Sequence, residues 1–358
     1  MGYQSSVLEG VEMNTLDFYK GKTVLVTGDT GFKGSWLAVW LNNLGSEVIG
    51  FGLDPITKED NYCLCDLEKK YMHITGDIRD HSLVLKTITE YKPDIIFHLA
   101  AQALVLPSFE DPYYTFDTNI RGTLNVLEAI RTTQTVKGAV MVTSDKCYRD
   151  TRGLQGCCED DPLGGSDPYS ASKSAAEHVI QSYIISFRGI TNIASARAGN
   201  VIGGGDWAPY RIVPDCIRAL RSNTPITIRN PDSTRPWQYI LEPLYGYLIL
   251  GKMLCHKQGI NYCGAWNFGS PGTVTVKELV SELISLWGSG TIRETGNPDY
   301  KELRTLLLNS EKARNHLGWN TILPIRRALE FTISDYQQTV NTYNQRSMRI
   351  RQYMEMVK

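Results

Sequence analysis

Apolar positions in the first two hundred residues fall into short blocks separated by longer, interrupted stretches. The blocks Thr23–Thr27, Glu47–Gly52, Met72–Thr75, Asp94–Leu99, Ala139–Thr143 and Asn192–Ala196 are β-rich and predict strands. Between them, stretches such as "GFKGSWLAVWLNNLG" and "TNIRGTLNVLEAIRTT" space their apolar residues for one buried helical face. This alternation implies a parallel sheet covered on both faces, a doubly wound α/β fold. Beyond Asn200 the texture changes to Gly-, Pro- and Arg-rich loops mixed with helices, among them "GNVIGGGDW", "RIVPD" and "IRNPDSTRPW". The chain therefore divides into an N-terminal arm (1–20), a doubly wound domain (21–199) and a smaller mixed α/β lobe (200–358), part of which is expected to return to the sheet.

The composition excludes several classes of function. With 37 basic against 38 acidic residues the net charge is -1, so nucleic acid and anionic membrane are not expected partners, and any anion site must be local. No uninterrupted apolar run approaches the ~20 residues that span a bilayer. The start "MGYQSSVLEGVEMNTLDFYKGK" lacks the basic-then-apolar pattern of a signal peptide, so a cytoplasmic location is expected. The eight cysteines include the pairs Cys63/Cys65 and Cys157/Cys158 but complete no zinc set, so reduced thiols and no metal are expected.

Candidate chemistry begins at "TVLVTGDTGFKGSWL", where Gly28, Gly31 and Gly34 stand between a strand and a helix. Glycines there permit a tight turn and let backbone amides approach a pyrophosphate, which the positive end of the helix also favours. This is the Rossmann arrangement, and a nicotinamide dinucleotide is the expected cofactor. After the second strand, Gly52 and then Asp54 stand where an acidic residue would select NAD, so both NAD and NADP stay open. Asp77 in "ITGDIRD" is placed either to meet the adenine edge or to cap a turn.

In "DPYSASKSAAEHVI", Tyr169 and Lys173 stand at i and i+4 on one helical face. An ammonium beside a phenol is expected to lower the phenol's pKa and make it a usable base. Ser144, in "VTSDKCY" at the end of the fifth strand, would orient a substrate oxygen toward Tyr169. The adjacent Asp145 and Lys146 have two readings: an ordinary strand-ending turn, or two proton-transfer groups at the mouth of a site.

Taken together, "TGDTGFKG", "TSDKCY", "YSASK", "RAGNVIGGGDW" and "IRNPDSTRPWQYILEPL" resemble the extended short-chain dehydrogenase/reductases of the NAD-dependent epimerase/dehydratase family. The likeness is strongest to the nucleotide-sugar 4,6-dehydratases of the CDP-sugar branch, and it runs from about Gly21 to about Trp319. It implies that Tyr169 takes the proton of the sugar 4-hydroxyl as hydride leaves C-4 for NAD. Asp145 then protonates the departing C-6 hydroxyl, Lys146 takes the C-5 proton, and hydride returns to C-6. CDP-glucose would become CDP-4-keto-6-deoxyglucose plus water, a step toward deoxysugars of the O-antigen type. The dTDP-sugar relatives carry glutamate where this chain has Lys146, whereas CDP-sugar relatives carry lysine. As a base Lys146 must be neutral, which burial and nearby Lys173 would favour.

The same likeness implies cofactor contacts at Gly28, Thr30, Gly31, Phe32, Lys33, Gly34, Asp77, Ile78, Ala100, Ala101 and Asn119, with Tyr169 and Lys173. It implies substrate contacts at Gln102, Ser108, Asn200, Arg211, Arg229, Arg235 and Trp237, the arginines suiting a diphosphate, with Trp207 a further packing candidate. A homodimer or higher homo-oligomer would form through a four-helix bundle of the Tyr169 helix and "YTFDTNIRGTLNVLEAI". The chain departs from those relatives at Asp29, Leu106, Tyr239, Cys157–Cys158 and Lys301, which bears on sugar and nucleotide preference more than on the reaction. An epimerase or 4-keto reductase can work with Ser144, Tyr169 and Lys173 alone, so the Asp145–Lys146 pair is the feature against that reading. A silent dinucleotide sensor would need none of these groups.

Overall fold

The computed structural model describes residues 16–150, 153–295, 307–338 and 340–357. Seven parallel strands form the central sheet: β1 (Thr23–Thr27), β2 (Glu47–Gly52), β3 (Met72–Thr75), β4 (Ile95–His98), β5 (Gly138–Val142), β6 (Asn192–Ala198) and β7 (Gly264–Phe268). Their order across the sheet is β7-β6-β5-β4-β1-β2-β3. All six predicted strands are present, three with the expected limits and three shifted by one or two residues at an end. β7, from the segment after Asn200, pairs with β6 in register Gly264↔Ala194 to Phe268↔Ala198.

Helices α1 (Phe32–Asn43), α2 (His81–Tyr91), α3 (Gly122–Thr133), α4 (Pro168–Ser186) and α5 (Leu241–Leu254) cover both faces. Successive strand residues point to opposite faces, so β1 splits its apolar side chains between two cores. Leu25 packs with Ile49, Ile96 and Met141 beneath Ile88, Val126 and Ile180 of α2, α3 and α4. Val24 and Val26 pack on the other side with Trp36, Trp40 and Leu248 of α1 and α5. Every residue of α5 except Lys252 is buried, which explains its nearly unbroken apolar sequence. Of residues 16–20, the described part of the expected N-terminal arm, Leu16 and Tyr19 belong to this core: the buried Tyr19 hydroxyl donates to the Leu248 carbonyl at 2.7 Å. The rest of that arm lies outside the described residues.

Two details position the site. The chain crosses to one side of β1 for β2 and β3 and to the other for β4 to β7, which opens a crevice above the C-terminal ends of β1 and β4. The segment "YTFDTNIRGTLNVLEAI" is also not one regular helix. Its first turn, Pro112–Phe116, passes through a π-turn at Asp117–Arg121 before α3 begins. Among the described residues no helix is long and apolar enough to cross a membrane.

Candidate active site

The crevice deepens into a cleft of about 770 Å³ that contains both expected ends of the site. At the cofactor end, Gly28 has φ +74°, and a Cβ there would lie 2.7 Å from the Ala100 amide nitrogen. A Cβ at Gly34 would lie 2.0 Å from the Gly28 carbonyl oxygen. The turn is therefore closed to any side chain at these points. Gly31 caps α1 without a side-chain hydrogen bond, which leaves first-turn backbone amides available at the cleft. A glycine cradle under an uncapped helix N-terminus fits a dinucleotide pyrophosphate. Thr30 ties the turn to the end of β2 by donating to the Leu53 carbonyl at 2.8 Å.

Farther along, Asp77 accepts from the Arg79 guanidinium at 2.7 Å and from its backbone N–H at 2.9 Å; these bonds hold the Asp77 carboxyl below its ordinary range. Asp54 accepts from Thr75 Oγ1 at 3.3 Å. The wall lined by residues 51–57, Asp60 and 76–78 carries the carboxylates of Asp54, Asp60 and Asp77, the last of them paired with Arg79.

At the chemical end, β5 gives way to a 3₁₀ turn, Asp145–Cys147, capped by Ser144, whose Oγ accepts the Lys146 N–H at 3.2 Å. That turn directs Asp145 inward rather than to solvent. Its side chain is buried, accepts from Ser144 Oγ at 3.0 Å and lines the cleft. Burial pushes the Asp145 carboxyl up, against weaker opposing pulls from Lys146, Ser144, Lys33 and Arg235. Lys146 lines the same wall and is half-buried.

Asp167 caps α4 by accepting the Ser170 N–H at 2.9 Å, which sets Tyr169 and Lys173 on the face turned to the cleft. The expected lowering of the phenol pKa is not what the structure gives. Burial holds Tyr169 up at about 12, with the Ser144 hydrogen bond and Arg211 pulling the other way. Removing a phenolate from water outweighs these partners. Burial likewise lowers Lys173 to about 8, opposed chiefly by Glu177.

Of the remaining expected contacts, Thr30, Phe32, Lys33, Ile78, Ala100, Ala101, Gln102, Asn200, Arg211, Arg229, Arg235, Trp237 and Trp207 line the cleft. Ser108 and Asn119 do not: both are buried behind its wall. Ser108 Oγ accepts the Tyr169 N–H at 3.2 Å. Asn119 bridges Gln102 N–H at 2.9 Å and Ser172 Oγ at 2.8 Å. The π-turn carries Asn119 into that gap, where it braces Gln102 and Ser172 as Ser108 braces the start of α4.

The departures from the relatives sort the same way. Leu106 lines the cleft. Asp29 turns under the glycine loop, against His73 Nδ1 at 2.8 Å and Tyr71 OH at 3.1 Å. The Tyr239 hydroxyl donates to Asp335 at 2.6 Å in the core, Cys157 forms a bridge with Leu308, and Lys301 lies outside the described residues.

Two features escaped the sequence reading. Lys33 was expected only at the cofactor, yet its ammonium, lowered to about 8 by burial and then by Arg211, also feels Asp145 and Lys173 at the chemical end. Behind the wall, Glu177 and Arg197 form a buried ion pair at 2.7 Å. The Tyr-x-x-x-Lys spacing, continued by four residues, is the only sequence signal for Glu177.

With this geometry in hand, the chain can be set beside known proteins. A family model described as GDP-mannose 4,6 dehydratase matches residues 25–330. The chain belongs to that family. It is 42% identical to the CDP-glucose 4,6-dehydratase of Salmonella typhimurium over 314 residues, 85% of this chain and 87% of the relative. The dTDP-glucose 4,6-dehydratase of Bacillus anthracis, solved in complex with NAD, superposes with a TM-score of 0.75 at 22% identity, covering 91% of this chain and 100% of that one. An epimerase of Methanothermobacter thermautotrophicus superposes at 0.77 with 25% identity, covering 95% and 97%. The dehydratase family thus shares its fold with epimerases, and the chemistry must be argued from the site.

Proposed function

We propose that the protein is an NAD-dependent nucleotide-sugar 4,6-dehydratase acting on CDP-glucose, with CDP-4-keto-6-deoxyglucose and water as products. The observation that carries this reading is Asp145: a buried carboxyl with a raised pKa, bonded to Ser144 in the cleft that holds Tyr169 and Lys173. Oxidation alone needs one base. A second proton-transfer group beside it has work to do only if a group must also leave.

When bound, NAD supplies a positively charged hydride acceptor that holds the hydride until it returns to the sugar. Tyr169 accepts the 4-hydroxyl proton, with Ser144 orienting that oxygen and the Lys173 ammonium stabilising the phenolate. Once C-4 is a ketone, the C-5 proton is acidified and Lys146 takes it, while Asp145 gives its proton to the departing C-6 hydroxyl; Lys146 then returns its proton to C-5 as hydride reaches C-6. Asn200, Arg211, Arg229 and Arg235, which line the same cleft, are assigned to the substrate diphosphate and nucleoside. Asp54, beyond the end of β2 on the adenosine wall, favours NAD over NADP, whose 2′-phosphate a carboxylate there would repel.

Exposed Phe109, Tyr113, Phe116, Leu124 and Ile185, on and around α3 and α4, support a homodimer through that face. A cytoplasmic enzyme supplying 4-keto-6-deoxy sugars for deoxysugar synthesis is consistent with both. Incubation with CDP-glucose tests the reading. A 4-keto-6-deoxy product without stoichiometric NADH supports it. Accumulation of a 4-epimer, or consumption of added NADPH, favours an epimerase or a 4-keto reductase instead.

A further inference from the structure

The cleft-facing side of α4 continues past the proposed base. Tyr169, Lys173 and Glu177 stand at i, i+4 and i+8 and are all buried. Glu177 touches nothing in the cleft. Its Oε1 accepts from Thr143, the residue before Ser144, and its Oε2 accepts from Ser195 at 2.8 Å and Arg197 at 2.7 Å. Both members of the ion pair are nearly sealed, with side chains 3% and 4% exposed.

The pair is oriented. The second guanidinium nitrogen of Arg197 donates away from α4, to the Tyr148 hydroxyl at 2.8 Å and the Glu159 carbonyl at 3.0 Å. The Tyr148 hydroxyl passes the network on to Asn267 of β7 at 2.7 Å. The negative end is therefore the one a single helical turn from Lys173. Residues four apart on a helix have Cβ atoms about 5–6 Å apart, close enough for one charge to govern the other.

We propose that Glu177 is a positioning residue that keeps Lys173 charged beneath the Tyr169 phenol, and so sets the pH at which the oxidation step runs. This rests on the reading of Tyr169 as the proton acceptor. Among the described residues, Tyr169 and Glu177 flank Lys173 one turn away on α4, and Cys147 from the turn after β5, His98 from β4 and Lys33 from α1 interact with it. His98 is held neutral by burial, its pKa lowered to about 3, and Lys33 opposes the charge on Lys173. Glu177 is thus the principal group favouring the ammonium against desolvation. A carboxylate fixed by three donors, two on β6 and one just past β5, also places α4 against the sheet, so charge and position are set together.

The test uses the full chain in the variants Glu177→Gln and Glu177→Asp. The rate at which a small acylating reagent labels Lys173, followed against pH by peptide mass spectrometry without substrate, gives the titration of that amine. In Glu177→Gln this titration should fall by about one pH unit or more. The alkaline limb of kcat should move downward by the same amount, so that turnover above pH 8 drops by up to tenfold while turnover well below pH 7 and KM hold. Glu177→Asp should restore most of the native profile. If Glu177→Gln does not fold, as judged by circular dichroism, Glu177→Gln with Arg197→Met replaces the ion pair by a neutral one and carries the same expectation. An unchanged Lys173 titration, or a shifted titration with an unshifted profile, overturns the inference. Absence of turnover in the native protein would instead defeat the dehydratase reading, because the labelling experiment needs no substrate.

Discussion

Replacing Gly34 with alanine separates helix propensity from cofactor fit. Gly34 sits in the first turn of α1, where alanine would otherwise favour the helix by about 1 kcal/mol. The added Cβ, however, would lie 2.0 Å from the Gly28 carbonyl oxygen and 2.7 Å from its carbon, where ordinary contact begins at 3.4 Å. Both neighbours are backbone, so neither can swing aside. The end of α1 must withdraw by about 1.4 Å, the difference between 3.4 and 2.0 Å. A pyrophosphate hydrogen bond of ~2.9 Å would then stretch past 4 Å and be lost. Hydrogen bonds to a charged group contribute roughly 1.5–3 kcal/mol, so losing one weakens NAD binding tenfold to more than a hundredfold. The strain adds about 1–3 kcal/mol against folding, enough to cancel the propensity gain. Calorimetric titration of Gly34→Ala with NAD, beside its thermal melt, reads both quantities. A variant that binds NAD as the native chain does and melts higher would refute the close approach assigned to this turn.

Three further outcomes follow from the site. Asp145→Asn should leave the oxidation step intact and slow water loss by roughly 10²–10⁴-fold, seen as enzyme-bound NADH accumulating in a single turnover; equal loss of both steps would contradict an acid at that position. The same substitution should raise the melting temperature at neutral pH. Asp145 has a folded pKa above its unfolded value, so the stability it contributes is present at low pH and lost as pH rises, and the advantage of asparagine should fade toward pH 4. Tyr169→Phe should abolish oxidation while NAD affinity stays within a few-fold of native, since its hydroxyl serves the sugar; unchanged turnover in a product assay would remove Tyr169 from its role.

Much of this was legible in the sequence because the relevant signals are local. A strand buried on both faces reads as an apolar block, and a glycine turn between strand and helix declares its own geometry, so β1, β2 and the cradle emerge at their expected limits. Asp145 was ambiguous because the 3₁₀ turn that directs it inward depends on Ser144 as a cap, a choice that the dipeptide alone does not specify. Ser108 and Asn119 were expected at the cleft surface and lie deeper for a different reason. Their place in the chain is beside the cleft, but a π-turn and a helix start convert them into brackets behind it. The sign of the Tyr169 shift was also out of reach, because spacing reveals a charged neighbour but not the depth of burial that outweighs it. Glu177 and Arg197 meet only after β6 folds against α4.

The central claim is that hydride leaves C-4 and returns to C-6 of the same sugar. CDP-glucose deuterated at C-4, turned over by the native protein and analysed by NMR, tests this directly. The account predicts deuterium at C-6 of the 4-keto-6-deoxy product, with none lost to solvent and no net NADH. Deuterium retained at C-4, or recovered on released cofactor, would contradict it.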